Sequence, residues 1–197
     1  MARLDEFKIS TSTVVRTDQA FHLSTGPILS CLATHRPPLS TLSLVNIVLP
    51  TPDLQELLSL CPTLTTLQLY EPDAQRLQVP ATELPLVTDT LLQSLTLKAD
   101  HNEHPHLPKL ERLDLASNSF HARAITELVS SRWTTDRSNP RASRLTSVSF
   151  KLLGEKHLDL SELQALGEMK RGRLWIALED QAGCAITRMF PPMTGYQ

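Results

Sequence analysis

Glycine is scarce in this 197-residue chain, at six residues, and no Gly-rich phosphate loop, Gly-x-Ser-x-Gly elbow or Cys-x-x-Cys occurs. Nucleotide, hydrolase and thiol-redox chemistries need tight turns or paired thiols at fixed spacing, so those absences argue against an enzyme. Asp159 and Glu162, the carboxylates one might press into acid–base service, stand where a helix start favours negative charge. No catalytic residue and no cofactor is assigned. Cysteine is sparse too. Cys31, Cys61 and Cys184 are an odd number in a chain whose first residues, MARLDEFKISTSTVV, lack a signal-length apolar run. A disulfide framework is therefore not expected, and Cys31 and Cys61, each following an apolar stretch, read as small buried hydrophobes. No apolar run approaches the roughly 20 residues that span a bilayer, so the expected setting is cytosol or nucleus, off the membrane. With a net charge of -2 there is no cationic excess to attract nucleic acid or anionic lipid.

What the chain does have is a recurring Leu-x-x-Leu-x-Leu. Its clear copies are Leu39, Leu42 and Leu44; Leu64, Leu67 and Leu69; Leu92, Leu95 and Leu97; and Leu110, Leu113 and Leu115. Looser copies flank them at Leu4, Phe7 and Ile9, at Leu145, Val148 and Phe150, and at Arg171, Leu174 and Ile176. The pattern predicts about seven units of one repeating supersecondary element. Within each, a period of two sends the last two apolar residues to one face of a short strand. One unit cannot bury that face, so units stack and their strands pair in parallel. The fold class expected is α/β: an irregular leucine-rich-repeat solenoid, with strands on the concave face and helices or loops on the convex one. Residues 1–178 form a single domain on this reading, followed by a loosely ordered tail over 179–197.

The connections differ. Residues 53–61 place Leu54, Leu57, Leu58 and Cys61 at helical spacing behind Asp53 as a cap, and Pro62 ends the run. Residues 122–133 and 158–169 repeat that periodicity, and 18–33 predict a helix broken at Gly26-Pro27. Pro72, Pro80 and Pro85 favour a loop between 71 and 89, and the short polar stretch 98–109 is not a packed helix. The polar run 134–143 reads as an excursion loop. Asn118, three residues past Leu115, suits turn chemistry.

Residues beside the strand leucines should line up into three ladders on the concave face. The first is Glu6, Thr41, Thr66, Ser94, Arg112, Ser147 and Arg173. The second is Lys8, Ser43, Gln68, Thr96, Asp114, Ser149 and Trp175, and the third Ser10, Val45, Tyr70, Lys98, Ala116, Lys151 and Ala177. Large aromatic and charged members are the candidate partner-binding residues: Tyr70, Lys98, Arg112, Asp114, Lys151, Arg173 and Trp175. Trp175 has a second reading, as a cap against the tail. His101, His104 and His106 with Glu103 offer zinc or copper donor types in one loop, but Pro105 and the lack of a regular element leave nothing to preorganise them, so no metal is assigned.

Leu-Pro-Lys-Leu-Glu-Arg-Leu-Asp-Leu at 107–115, the Ser131-Arg132-Trp133 helix end, Arg144-Leu145 leading to Val148, and the DLSELQAL run resemble the leucine-rich region of fungal F-box proteins. The resemblance covers roughly residues 39–178. It implies a ribonuclease-inhibitor-like repeat domain that captures a substrate for a ubiquitin ligase. The F-box itself, about 40 helical residues ahead of the repeats in such proteins, has no counterpart before the first copy at Leu4, so ligase recruitment does not carry over. The expected function is a non-catalytic protein-interaction module; the alternative is a truncated structural fragment or paralogue without independent function. The first strand leaves an edge open, which predicts either self-association through it or a lost upstream segment that covered it.

Overall fold

The computed structural model describes residues 5–10, 25–73, 86–97, 106–118, 122–133, 142–153 and 175–179. In order these form β1 (Glu6–Ser10), α1 (Gly26–His35), β2 (Thr41–Val45), α2 (Thr51–Ser59), β3 (Thr66–Tyr70), α3 (Asp89–Leu95), β4 (Arg112–Ser117), α4 (Ala122–Trp133), β5 (Ser147–Leu152) and β6 (Trp175–Glu179). Every described strand pairs in parallel with the next in sequence, so one α/β sheet runs β1 to β6 in chain order.

Register follows from the leucines. Leu42, Leu67, Leu113 and Val148 stand side by side on one line across the sheet, with Leu44, Leu69, Leu115 and Phe150 on the next. All eight are at most 1% exposed. A slip of one residue would turn them all to the other face, so their burial fixes the pairing. The helices cover this face. Leu54, Leu57 and Leu58 of α2, Leu91, Leu92 and Leu95 of α3, and Ile125, Leu128 and Val129 of α4 join the strand leucines in one core. The helices also pack on one another in chain order, α1 on α2, α2 on α3 and α3 on α4. Each fully buried leucine contributes roughly 1.5–3 kcal/mol against exposure.

A second set of contacts tightens the stack just ahead of the strands. The Asp5 carbonyl accepts from the N–H groups of Ser40 and Thr41, the Ser40 carbonyl from Thr65 and Thr66, the Thr65 carbonyl from Glu111 and Arg112, and the Glu111 carbonyl from Thr146 and Ser147. Where the second motif position is Ser or Thr, its hydroxyl donates to the same carbonyl: Ser40 to Asp5, Thr65 to Ser40 and Thr146 to Glu111. Glu111 has no hydroxyl to add.

Several expectations are corrected. The copy at Leu92, Leu95 and Leu97 is not a strand: residues 89–95 form α3. Leu-x-x-Leu is also one turn of helix, and Thr88 caps it, its hydroxyl oxygen accepting the Leu91 N–H at 3.1 Å. Leu91, Leu92 and Leu95 are buried together as a helical stripe. β3 therefore pairs directly with β4, and Ser94, Thr96 and Lys98 have no rung between them. The last strand is also shifted by two residues, because Ser147 stands opposite Trp175 rather than Arg173. Helix α2 begins at Thr51, ahead of Asp53, since Pro52 is fixed at a helix-compatible φ in the first turn. Asp53 instead accepts the Thr25 hydroxyl at 2.7 Å, tying α2 to the start of α1. Cys31 is exposed, not buried, because α1 sits at the end of the helix row and buries little beyond Leu32. Cys61 is buried, and burial pushes its thiol up to about 11.

Helix α4 covers the span read from its periodicity, and α1 starts at the Gly26-Pro27 break. The expected helices over 18–25 and 158–169 fall almost wholly outside the described residues, as do the loop 134–141 and the tail beyond 179. Among the described residues no helix is long and apolar enough to cross a membrane.

Candidate binding face

Opposite the leucines, each of β1 to β5 presents two or three side chains to the other face of the sheet. Tyr70, Arg112, Asp114 and Lys151 all lie there, on β3, β4 and β5. Pairing sets their spacing. Asp114 faces Gln68 on one side and Ser149 on the other, while Tyr70 stands opposite Ala116 and Ala116 opposite Lys151. Tyr70 and Asp114 are thus diagonal neighbours, within reach of a long side chain. The Tyr70 hydroxyl donates to Asp114 Oδ2. That bond orients both groups: the Tyr70 side chain reaches diagonally toward Asp114, whose carboxylate accepts through one oxygen. Arg112, two residues earlier on the same face, is exposed.

Not every ladder position is a contact point. Ser43 is 1% exposed and its hydroxyl has no hydrogen-bond partner, while Ala116 is closed off at 4%. Glu6 and Lys8, on the first strand, are exposed. Of the seven candidates, the structure brings Tyr70, Arg112, Asp114 and Lys151 together. Trp175 joins them at the level of its backbone, on the rung of Arg112 and Ser147 rather than that of Asp114. One strand, β5, lies between it and Arg112, so two strand spacings, about 10 Å, separate them along the rung. Lys98 and Arg173 lie outside the described residues, and the rungs expected for them are taken by the direct β3–β4 pairing and by Trp175.

No protein-family model matches this chain, and no curated protein matches it.

Behind the face, a buried carboxylate holds the strand ends in place. Glu71, the residue after Tyr70, is 2% exposed. Its Oε1 accepts the N–H groups of Leu86 and Val87 at 2.9 and 2.8 Å. Its Oε2 accepts the Ser117 hydroxyl at 2.8 Å and the Asn118 N–H at 2.7 Å, with Asn118 Nδ2 at 3.3 Å. Asn118 Nδ2 also donates to the Pro72 carbonyl at 2.9 Å. The ends of β3 and β4 and the approach to α3 are joined through one side chain. Burial raises the Glu71 carboxyl above its ordinary range, opposed by the N–H and hydroxyl donors.

A buried cation does the same at the other end of the helices. Arg132 is 0% exposed and donates to three carbonyls: Leu95 at 2.7 Å, Leu107 at 3.2 Å and His106 at 2.6 Å. Burial brings its guanidinium down to about 10. The Leu95 carbonyl is in the last turn of α3, so Arg132 caps that helix from α4. Beside it, Ser131 Oγ accepts the Leu97 N–H at 3.1 Å, and the Arg144 guanidinium lies 3.3 Å from the Trp133 ring centroid. The Ser131-Arg132-Trp133 run thus ties the end of α4 to the end of α3, to the residues ahead of β4 and to Arg144.

Glu71 and Arg132 went unread in the sequence because each pairs with distant backbone. The one available signal was position, since Glu71 and Ser117 both directly follow the last residue of a Leu-x-Leu-x unit, Tyr70 and Ala116. Among the described residues no group of three His, Cys, Asp or Glu is placed to hold a metal, and of the histidine loop only His106 is described.

Proposed function

We propose that this chain is an irregular leucine-rich-repeat solenoid serving as a non-catalytic protein-interaction module, with its partner seated on the sheet face around Tyr70, Asp114 and Arg112. The observation that carries this reading is the Tyr70–Asp114 pair, fixed by its hydrogen bond on a face that the described helices leave uncovered and set beside an exposed Arg112. A preorganised aromatic ring and a neighbouring guanidinium have the character of an interface hot spot, because little side-chain freedom remains to be lost on binding. Strands in chain order, helices on one side and leucines on shared rungs support the solenoid reading. Its likeness in sequence to the repeats of F-box proteins narrows the proposal to a substrate-receptor-like role, with a protein and not a nucleic acid or membrane as partner.

Affinity capture with the intact chain, followed by titration of the isolated partner, tests this. Tyr70→Ala and Arg112→Ala should each weaken binding on the order of 30-fold, the loss typical of a hot spot. Glu56→Ala, on the exposed side of α2, should leave affinity unchanged. Equal affinity of all three variants for the partner would remove the face from the proposal.

A further inference from the structure

Among the described residues β1 pairs on one side only, with β2. The Asp5 carbonyl accepts the Thr41 N–H at 3.1 Å, so residues 5, 7 and 9 turn their peptide groups toward β2. Alternation then points the N–H and C=O groups of Glu6, Lys8 and Ser10 outward along the edge. The core is also incompletely closed at this end. Phe7 and Ile9 are half-buried, although their rung neighbours Leu42 and Leu44 are 0% exposed. Ile28 and Leu29 of α1, at the same end of the helix row, are half-buried as well.

We infer that this edge pairs with β1 of a second copy, antiparallel about a two-fold axis at Phe7. Charge selects that register. With the axis at Phe7, Glu6 stands opposite the second copy's Lys8 and Lys8 opposite its Glu6, both on the exposed face of the sheet. These are the outward-pointing residues, so each such pair exchanges two backbone hydrogen bonds. Phe7 meets its own copy at the intervening position, where side chains approach most closely and on the side that carries the core. Moving the axis by one residue sets Lys8 against Lys8, and like charges directly opposite one another oppose pairing.

The other edge offers a poorer match. Stacking β1 on β6 of a second copy, in the parallel register that continues the sheet, places Glu6 beside Trp175 and Lys8 beside Ala177, with no charge complement. It would also repeat without end, whereas a two-fold contact closes as a dimer. Lys8 therefore acts in two ways: it blocks the register centred on itself and completes the one centred on Phe7.

Sedimentation of the intact chain, from low to high micromolar concentration, tests the inference. A monomer–dimer equilibrium is expected. Lys8→Glu and Glu6→Lys should each weaken the dimer roughly tenfold or more by setting like charges opposite, and the combined exchange E6K/K8E should restore it. Both residues are exposed, so the variants keep the wild-type circular dichroism and melting profile. A monomer at every concentration would overturn the inference and assign the edge to a segment of the same chain. Growth beyond a dimer, an unaffected single variant or failure of the exchange to rescue would overturn it equally.

Discussion

Two buried charged side chains, Glu71 and Arg132, carry an unusual share of the connections between units. Among the described residues neither has an opposite charge as its partner: Glu71 is met by N–H and hydroxyl donors, Arg132 by backbone carbonyls. Glu71→Gln removes the charge but turns an amide N–H₂ toward donors that it cannot satisfy. A loss of about 1–3 kcal/mol is expected in urea unfolding, the cost of stranding a buried N–H. The pH dependence follows from the raised carboxyl. Below the ordinary glutamate range both folded and unfolded chains hold the proton; above it the unfolded chain releases it first. Wild-type stability should therefore fall as pH rises through and above about 4.5, and Glu71→Gln should lose that component of the slope, read from melting temperatures of the two proteins across the window. Arg132→Met removes the guanidinium donor from the Leu95, Leu107 and His106 carbonyls, of which Leu107 keeps the Leu110 N–H. It should cost roughly 1.5–3 kcal/mol, the range for hydrogen bonds to a charged group, with Arg132→Lys recovering only part because one ammonium cannot match the three-way geometry.

At the level of the elements, legibility depended on whether one period had a rival. The strands at Leu42 and Leu44, at Leu67 and Leu69, and at Leu113 and Leu115 follow the alternation over Leu-x-Leu, although their Leu-x-x-Leu, like that at Leu92 and Leu95, also fits a helical turn. Helix α4 was readable from twelve residues of consistent periodicity. At Leu92 and Leu95 the two periods coincide, and the deciding residue was Thr88, which lies ahead of the motif. Losing that cap tests the assignment: Thr88→Ala should cost about 1 kcal/mol in equilibrium unfolding. Were residues 92–97 a strand, the substitution would be close to neutral. The candidate face was half legible for the same reason. Tyr70, Arg112, Asp114 and Lys151 flank true strand leucines and were placed correctly, whereas Lys98 inherited the error at α3 and Trp175 the two-residue shift of β6. No composition rule announces that Tyr70 bonds to Asp114, because the bond crosses diagonally between strands 44 residues apart in sequence.

On the scale of the whole molecule, the core is a row rather than a ball. Among the described residues each strand pairs with the next and each helix packs on the next, so stability should accumulate along the sheet and be weakest at its ends. Leu67→Ala, in the middle and 0% exposed, is expected to cost 2–5 kcal/mol, about the range for emptying a buried leucine site. Phe7→Ala, at the half-buried end, should cost distinctly less at protein concentrations where the chain is monomeric, and a guanidine melt of both variants compares them. Equal losses would mean that the array unfolds without any gradient along its length.

The carbonyl relay from Asp5 through Ser40, Thr65 and Glu111 to Thr146 runs along the axis of the row, perpendicular to the strands. Suppose β1 and β6 were held and drawn apart. The pull would fall lengthwise on those hydrogen bonds, opening one junction at a time like a zip and not shearing many together. The chain would pay out in discrete steps at low force. At the junction between β3 and β4 Glu111 brings no hydroxyl to the Thr65 carbonyl, and the Glu71 clasp across the same pair of strand ends offsets that loss, so the junctions without such a clasp should yield first.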